Sequence, residues 1–171
     1  MDRMWHLART EDTLLPSIIV VSSRVSMNES LVFAQFGLLA TLGWQVYQRW
    51  SSLSWGTAVA LLLAIAVTLA IWTLTVNRPG NFRIVPEPKA DGQLVTSGPY
   101  HWIRHPMYTS LLLMAAAFAL LIDGWWVWFN WGALFVVLLF KLAVEEHLLK
   151  QHYSVYKDYQ AQTKRLVPWI F

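Results

Sequence analysis

The sequence contains no cysteine, so disulfide bonds play no part in the fold and the redox compartment cannot be read from the chain. Charged residues make up only 13% of the 171 positions, far below the share in an ordinary soluble domain. Glycine is sparse, and no Gly-x-Gly or Gly-x-Ser-x-Gly sequence occurs. These absences exclude a dinucleotide fingerprint, a P-loop and the nucleophile elbow of a serine hydrolase.

Hydrophobic residues dominate what remains, at 56% of the chain with 11 tryptophans and a mean hydropathy of +0.41. Four apolar segments approach or reach the length that crosses a hydrocarbon layer about 30 Å thick, at about 1.5 Å per helical residue. They are Leu31 to Tyr47, Trp55 to Val76, Pro106 to Ile122 and Trp125 to Val144. We therefore predict an all-α integral membrane protein with about four transmembrane helices, the third and fourth forming a tight hairpin through Asp123-Gly124.

Basic residues lie almost entirely on one side of this predicted topology. The connection after the first helix holds Arg49 alone, and Lys141 lies within the fourth apolar segment, whereas the two termini and the 77–105 loop hold the other eleven. These are Arg3, Arg9, Arg24, Arg78, Arg83, Lys89, Arg104, Lys150, Lys157, Lys164 and Arg165. Because cationic segments are retained in the cytoplasm, both termini are predicted to be cytoplasmic. The bases are spread over three segments, so the sequence does not predict nucleic-acid binding.

The chain divides into three regions. Residues 1–30 form an N-terminal interfacial or loose segment, because the apolar stretch from Leu14 to Val21 is too short to span and contains Pro16. Residues 31–76 hold the first two predicted helices. Residues 77–171 hold a long loop, the helical hairpin and a C-terminal tail, and every candidate site residue lies in this region.

Two polar clusters stand at the predicted cytoplasmic ends of the hairpin. In the first, Pro106 suits the first position of a helix, so His105 becomes its cap and Tyr108 lies in the first turn. The second holds Lys141, Glu145 and Glu146, where ionisable groups are costly unless they pair, reach the interface or function. The hairpin predicts that the clusters converge, which indicates a site. A simple Lys141–Glu145 ion pair is the structural alternative.

A metal site is the first chemical alternative, because His101 and His105 have a spacing typical of helical ligands. Pro106 makes a continuous helical turn through His105 unfavourable, so we predict no metal.

The stretch "LVTSGPYHWIRHPMY" at residues 94–108, the Glu145-Glu146 pair and the tail "KRLVPW" together resemble the isoprenylcysteine carboxyl methyltransferase family, whose wider relatives are the membrane phospholipid methyltransferases. The resemblance covers residues 77–171 and implies an S-adenosylmethionine-dependent methyltransferase with a cytoplasmic cofactor pocket. The implied cofactor contacts are Gln93, Leu94, Val95, Tyr100, His105, Pro106, Met107, Tyr108 and Glu145. Lys141 stands near a family arginine that orients the acceptor.

Methyl transfer requires in-line positioning more than elaborate acid–base chemistry. A carboxylate or thiolate acceptor needs no base, whereas a neutral amine or thiol would use His105 or Glu146. The expected acceptor is a lipophilic small molecule or a lipid-anchored group that reaches the site from the bilayer. Two alternatives remain open, a membrane reductase with a nicotinamide cofactor and a non-enzymatic membrane scaffold.

Overall fold

The computed structural model describes residues 28–53, 55–77, 92–122 and 124–171. Five α-helices lie in these ranges: residues 28–48 (α1), Thr57–Val76 (α2), Pro106–Ile122 (α3), Trp125–His152 (α4) and Tyr156–Gln162 (α5). Two 3-10 turns cover Trp50–Ser52 and Gly98–His101. The described part of the chain contains no sheet, which confirms the all-α prediction. Of the predicted N-terminal interfacial or loose segment at residues 1–30, residues 1–27 lie outside these ranges, and residues 28–30 already belong to α1.

Helix α3 is the centre of the bundle because its small side chains let neighbouring helices approach closely. Ala115 and Ala119 pack with Leu134 and Leu138 of α4. Another face of α3, which includes Ala117, packs against α2. The start of α3 matches the predicted position of Pro106, so His105 stands immediately before the helix as expected.

Helix α1 packs against α3 and α4 rather than standing apart in the bilayer. Leu42 is buried in the same core cluster as the α3 and α4 side chains. The buried Asn130 of α4 donates its amide hydrogens to Thr41 Oγ1 at 2.7 Å and to the Leu38 carbonyl at 3.3 Å. This polar contact fixes α1 against α4 because an unsatisfied amide in the core would be costly.

Two helices, α2 and α4, are long and apolar enough to cross a membrane, and α3 is a shorter apolar helix of 17 residues. Large apolar side chains on the described helices point away from the protein core, including Phe33, Leu61, Ile65, Phe129 and Phe140. Such a surface is suited to lipid rather than water. Helix α4 continues eight residues beyond Val144, the end of the predicted apolar span, and reaches His152.

The C-terminal segment, residues 163–166, pairs with the backbone that leads into α3. Ile103 and Lys164 form a parallel bridge. The amide of Arg104 donates to the Lys164 carbonyl at 2.8 Å, and that of His105 donates to the Arg165 carbonyl at 3.0 Å. This pairing closes the charged end of the bundle, by which we mean the end formed by the start of α3 and the last turns of α4.

Candidate functional site

The two predicted polar clusters meet at the charged end. The Tyr108 hydroxyl of α3 donates to Glu145 Oε2 of α4 at 2.9 Å. The imidazole of His105 stacks on the Tyr108 ring, with centroids 5.4 Å apart and planes inclined by 4°. His105 Nδ1 also lies 3.6 Å from Glu145 Oε2. The expected approach of the clusters is therefore confirmed.

His105 is buried between Glu145 and Glu146, but neither ring nitrogen forms a short hydrogen bond to these carboxylates. Its Nε2 atom lies 3.5 Å from Glu146 Oε1, but the geometry leaves Nε2 without a hydrogen bond to the described residues. A buried polar nitrogen in this state carries a desolvation penalty. The ring therefore retains hydrogen-bonding capacity that a bound ligand or a small rearrangement can satisfy.

Glu146 lies at the centre of a buried ionic network. Its Oε1 atom pairs with Arg104 Nε at 2.7 Å. Its Oε2 atom accepts from Gln160 Nε2 at 3.1 Å and from Arg165 Nε at 3.3 Å. Only 4% of the Glu146 side chain is exposed, whereas 32% of the Glu145 side chain is exposed. The neighbouring carboxylates therefore occupy different environments.

Arg104 connects this network to the C-terminal segment. Its terminal guanidinium nitrogen donates to the carbonyl oxygen and to the hydroxyl of Thr163, and also to the Gln160 carbonyl at 3.3 Å. Arg104 and Glu146 form a nearly buried ion pair with a charge-assisted hydrogen bond. This pair holds the guanidinium where it can reach Thr163 and Gln160. Arg104, Gln160 and Thr163 were absent from the residues predicted for the site. Only the Arg104-His105-Pro106 run could have drawn attention to the arginine.

Lys141 lies deeper along α4 and is only 2% exposed. Its ammonium donates to Gln35 Oε1 of α1 and lies 5.5 Å from the centroid of the Tyr108 ring. A desolvated cation over an aromatic face gains cation–π attraction. Gln35 was not predicted, because a single glutamine in an apolar helix carries no motif.

The predicted loop residue Tyr100 contacts Asn77, which follows α2, and Tyr159 of α5. Tyr100 is half-buried; its hydroxyl accepts from Asn77 Nδ2 at 3.2 Å, and its carbonyl accepts from the Tyr159 hydroxyl at 2.7 Å. Burial raises the pKa of Tyr100 to about 12, against the opposing effect of the Asn77 hydrogen bond and with a contribution from the Glu145 charge. Burial also raises the pKa of Tyr159. Both phenols are therefore neutral at physiological pH.

A polar cleft of about 460 Å³ adjoins this loop. It is lined by Leu94, Thr96, His101, Val155, Tyr159, Gln162 and Thr163. Leu94 is the one lining residue that was predicted for the cofactor. The other predicted residues differ in exposure: Gln93 is exposed, Val95 and Met107 are partly buried, and Pro106 is buried. Among the described ranges, no three His, Asp or Glu side chains are grouped so that they could hold a metal ion.

The chemistry of these groups fits an adenosyl cofactor. The stacked His105 and Tyr108 rings offer aromatic surface, and the partly exposed Glu145 can accept from a ribose hydroxyl or an ammonium group. The His105 Nε2 atom also has no hydrogen bond to the described residues, although protein atoms enclose it. The site thus combines aromatic, anionic and neutral polar groups, which can contact the adenine, the ammonium and the hydroxyls of such a cofactor.

Comparison with known protein families finds a match to one family model. The model of the phospholipid methyltransferase family matches residues 55–155, which include α2, α3 and α4 and make up more than half of the chain. A search of curated proteins gave no match. Methyltransferases of this family use S-adenosylmethionine, in agreement with the predicted cofactor. The chain therefore belongs to the phospholipid methyltransferase family and is an integral membrane methyltransferase.

Proposed function

We propose that this protein methylates a lipophilic acceptor at the cytoplasmic surface of the membrane, with the cofactor held at the charged end. The observation that carries the proposal is the meeting of His105, Tyr108 and Glu145 beside the buried Lys141. S-Adenosylmethionine supplies an electrophilic methyl group on a sulfonium. The protein needs to hold the donor and bring a nucleophile into line with it.

The residues divide into two groups along α4. Nearer the helix end, Glu145 is fixed by Tyr108 and remains partly exposed, so it suits a hydroxyl or ammonium of the cofactor. One helical turn deeper, Lys141 lies between α1 and the Tyr108 ring. Lys141 is the cation best placed to hold an anionic group of the acceptor. A carboxylate, a thiol or an amine next to a phosphate is compatible with this arrangement.

The base for a neutral acceptor is better assigned to His105 than to Glu146. Glu146 accepts from Arg104, Gln160 and Arg165, so its lone pairs are engaged in holding the C-terminal segment. His105 is the group with an unsatisfied nitrogen. An acceptor that is already anionic would dispense with the base.

The family match favours a methyltransferase over a nicotinamide-dependent reductase or a non-enzymatic scaffold. We further propose that the protein has the specificity of an isoprenylcysteine carboxyl methyltransferase, because the 94–108 stretch and the Glu145-Glu146 pair resemble that family. An acceptor screen with methyl-labelled S-adenosylmethionine would compare prenylcysteine compounds with phospholipids of different head groups. Label in a lipid-soluble product supports the proposal, whereas label in no lipophilic acceptor would contradict it.

Cofactor placement is tested by adenosylhomocysteine binding to the purified protein. Glu145→Gln and His105→Ala should each weaken binding about 10- to 150-fold, because each removes a polar contact worth about 1.5 to 3 kcal/mol. Glu29→Gln alters an exposed carboxylate of α1 and serves as the control. Parent-like binding by both site variants would show that the cofactor lies elsewhere.

Acceptor orientation is tested by turnover measured beside adenosylhomocysteine binding. Lys141→Met should lower methyl transfer while cofactor affinity stays nearly unchanged, and Lys141→Arg should retain more activity. Lys150→Met, an exposed lysine of the same helix, is the control. An equal loss of binding and turnover in Lys141→Met would assign the lysine to the cofactor pocket instead.

A further inference from the structure

Residues 166–171, which we call the C-terminal turn, form a closed turn with large apolar side chains on its outside. The amides of Leu166 and Val167 both donate to the main-chain oxygen of Phe171 at 2.7 Å. Trp169 is 84% exposed and Ile170 is 78% exposed. The family model matches residues 55–155, so the family match assigns no role to this turn.

The C-terminal turn is fixed beside the first turn of α3. The Thr109 hydroxyl donates to the Leu166 carbonyl at 2.7 Å, and Thr109 is the fourth residue of that helix. The Leu166 side chain is buried in the core cluster that α3 and α4 share. The C-terminal turn and the start of α3 therefore lie at the same level along the bundle.

The length of α3 gives the depth of this level in the bilayer. Helix α3 packs against α2 and α4, the two helices that are long and apolar enough to cross a membrane. At about 1.5 Å per residue, its 17 residues cover about 25 Å, less than a hydrocarbon layer about 30 Å thick. The first turn of α3 therefore lies at the edge of the apolar layer, and the C-terminal turn lies there with it.

The side chains of the C-terminal turn suit that depth. Indole rings favour the boundary between hydrocarbon and head groups, and an isoleucine side chain favours hydrocarbon. Lys164, just before the turn, is exposed, and 41% of the Arg165 side chain is exposed. Cationic side chains at this depth attract anionic lipid head groups. An apolar tip with basic residues at its base is typical of segments that lie in the membrane interface.

The backbone of Trp169 gives an independent reason to expect a partner for this side chain. Its φ is +63°, and in the described ranges it is the one residue other than glycine with a positive φ. This conformation is unfavourable for a bulky residue. Because Trp169 is so exposed, packing within the protein does not offset the strain. Transfer of the indole from water into the membrane interface would offset it.

We infer that the C-terminal turn is an interfacial anchor that inserts Trp169 and Ile170 into the leaflet at the charged end. Its partner is the lipid surface itself, whatever acceptor the protein methylates. Arg165 connects the anchor to the candidate site, because its carbonyl accepts from the His105 amide and its side chain donates to Glu146.

Spin labelling of the full chain in nanodiscs tests this inference, since the natural chain has no cysteine. The nanodiscs would contain phosphatidylcholine with a minor fraction of phosphatidylglycerol. A nitroxide on Ile170→Cys should be more accessible to oxygen, which concentrates in lipid, than to a water-soluble nickel chelate. Phe140→Cys, on the exposed apolar surface of α4, is the lipid control, and Asp158→Cys, exposed on α5, is the water control.

The oxygen-to-nickel ratio at position 170 should lie closer to that of Phe140→Cys than to that of Asp158→Cys. A ratio equal to that of Asp158→Cys would overturn the inference and leave the face open to a soluble protein partner. Spin–spin broadening at position 170 that disappears on dilution with unlabelled protein would assign the face to a second copy of the chain and also contradict the inference.

Variants of Trp169 separate insertion from mere proximity to the membrane. Trp169→Gly suits the positive φ and removes only the indole, so the label at position 170 should move toward the ratio of the water control. Trp169→Tyr keeps a ring that favours the interface and should retain the parent ratio more closely. An unchanged ratio in Trp169→Gly would show that the indole does not anchor the turn.

Discussion

At the scale of the residue, Glu145 and Glu146 show how adjacent identical side chains acquire different tasks. Consecutive residues on a helix point about 100° apart, so one carboxylate faces Tyr108 and the other faces Arg104. Glu145 keeps access to the exterior, while Glu146 is enclosed by cationic and amide donors. A Glu-Glu pair in sequence thus provides one accessible carboxylate and one carboxylate enclosed in an ionic network.

Glu146→Gln should destabilise the protein. The change removes the negative charge opposite Arg104 while both side chains are nearly buried, and breaking such a pair costs about 3 to 5 kcal/mol. Thermal denaturation in detergent should show a lower midpoint, and limited proteolysis should release the C-terminal residues earlier. Asp158→Asn, an exposed carboxylate of α5, is the control. An unchanged midpoint with abolished methyl transfer would instead favour the predicted role of Glu146 as a base.

The sequence predicted the residues that meet at the charged end better than the residues that hold them in place. Tyr108, Glu145 and Lys141 stand out because polar side chains in apolar helices are conspicuous. Gln35 and Thr163 do not, because their importance comes from contacts with residues 106 and 59 positions away. No local periodicity encodes contacts at such separations.

At the scale of the element, the turn Gly98–His101 determines where Tyr100 stands beside α2. Gly98 has φ +61°, a left-handed conformation that favours glycine. A Cβ atom at this position would also lie 2.7 Å from Val76 Cγ2. The glycine therefore allows both the turn and its close contact with the end of α2.

Gly98→Ala should strain this turn. The left-handed conformation costs about 1 to 2 kcal/mol for a residue with a Cβ atom, and the contact with Val76 adds to that cost. We expect a lower thermal midpoint and weaker adenosylhomocysteine binding through displacement of Tyr100. Gly132→Ala, with no atom within 4 Å of the added carbon, should be neutral or stabilising. Equal effects of the two substitutions would show that the Gly98 turn is not constrained.

Element boundaries could be predicted where a physical signal marks them. Pro106 marks the start of α3, and the Asp123-Gly124 pair marks the end, so that helix was predicted correctly. The predicted apolar span ends at Val144, where hydrophobicity falls, whereas α4 itself continues to His152. Residues 145–152 leave the apolar region but stay helical, since Glu, Leu and Lys are good helix formers.

At the scale of the whole molecule, the asymmetric distribution of arginine and lysine supports a four-span arrangement with both termini in the cytoplasm. The structure places the start of α3 and the last turns of α4 at one end and a cavity lined by Trp44 and Trp125 at the other. The proposed methyl-transfer site and this cavity would then lie toward opposite leaflets.

Cysteine labelling tests this orientation cleanly, because the natural chain has no cysteine. In intact cells, Ser51→Cys, which follows α1, should react with a membrane-impermeant thiol reagent. Lys150→Cys, in the last turns of α4, should react only after the membrane is opened. Both positions are exposed on the protein. The reverse pattern would invert the proposed topology, and labelling of both in intact cells would contradict the four-span arrangement.

The pairing of Arg104 with Thr163 has a consequence for the order of events during biosynthesis. The two residues are 59 positions apart, so at about 5 to 20 residues per second the ribosome adds the second roughly 3 to 12 s after the first. Until then, Arg104 lacks the Thr163 carbonyl, and Glu146 lacks the Arg165 side chain, that complete their enclosure. The helices can therefore enter the bilayer before the charged end closes, and the newly made enzyme acquires its finished site only after residues 163–165 have been added.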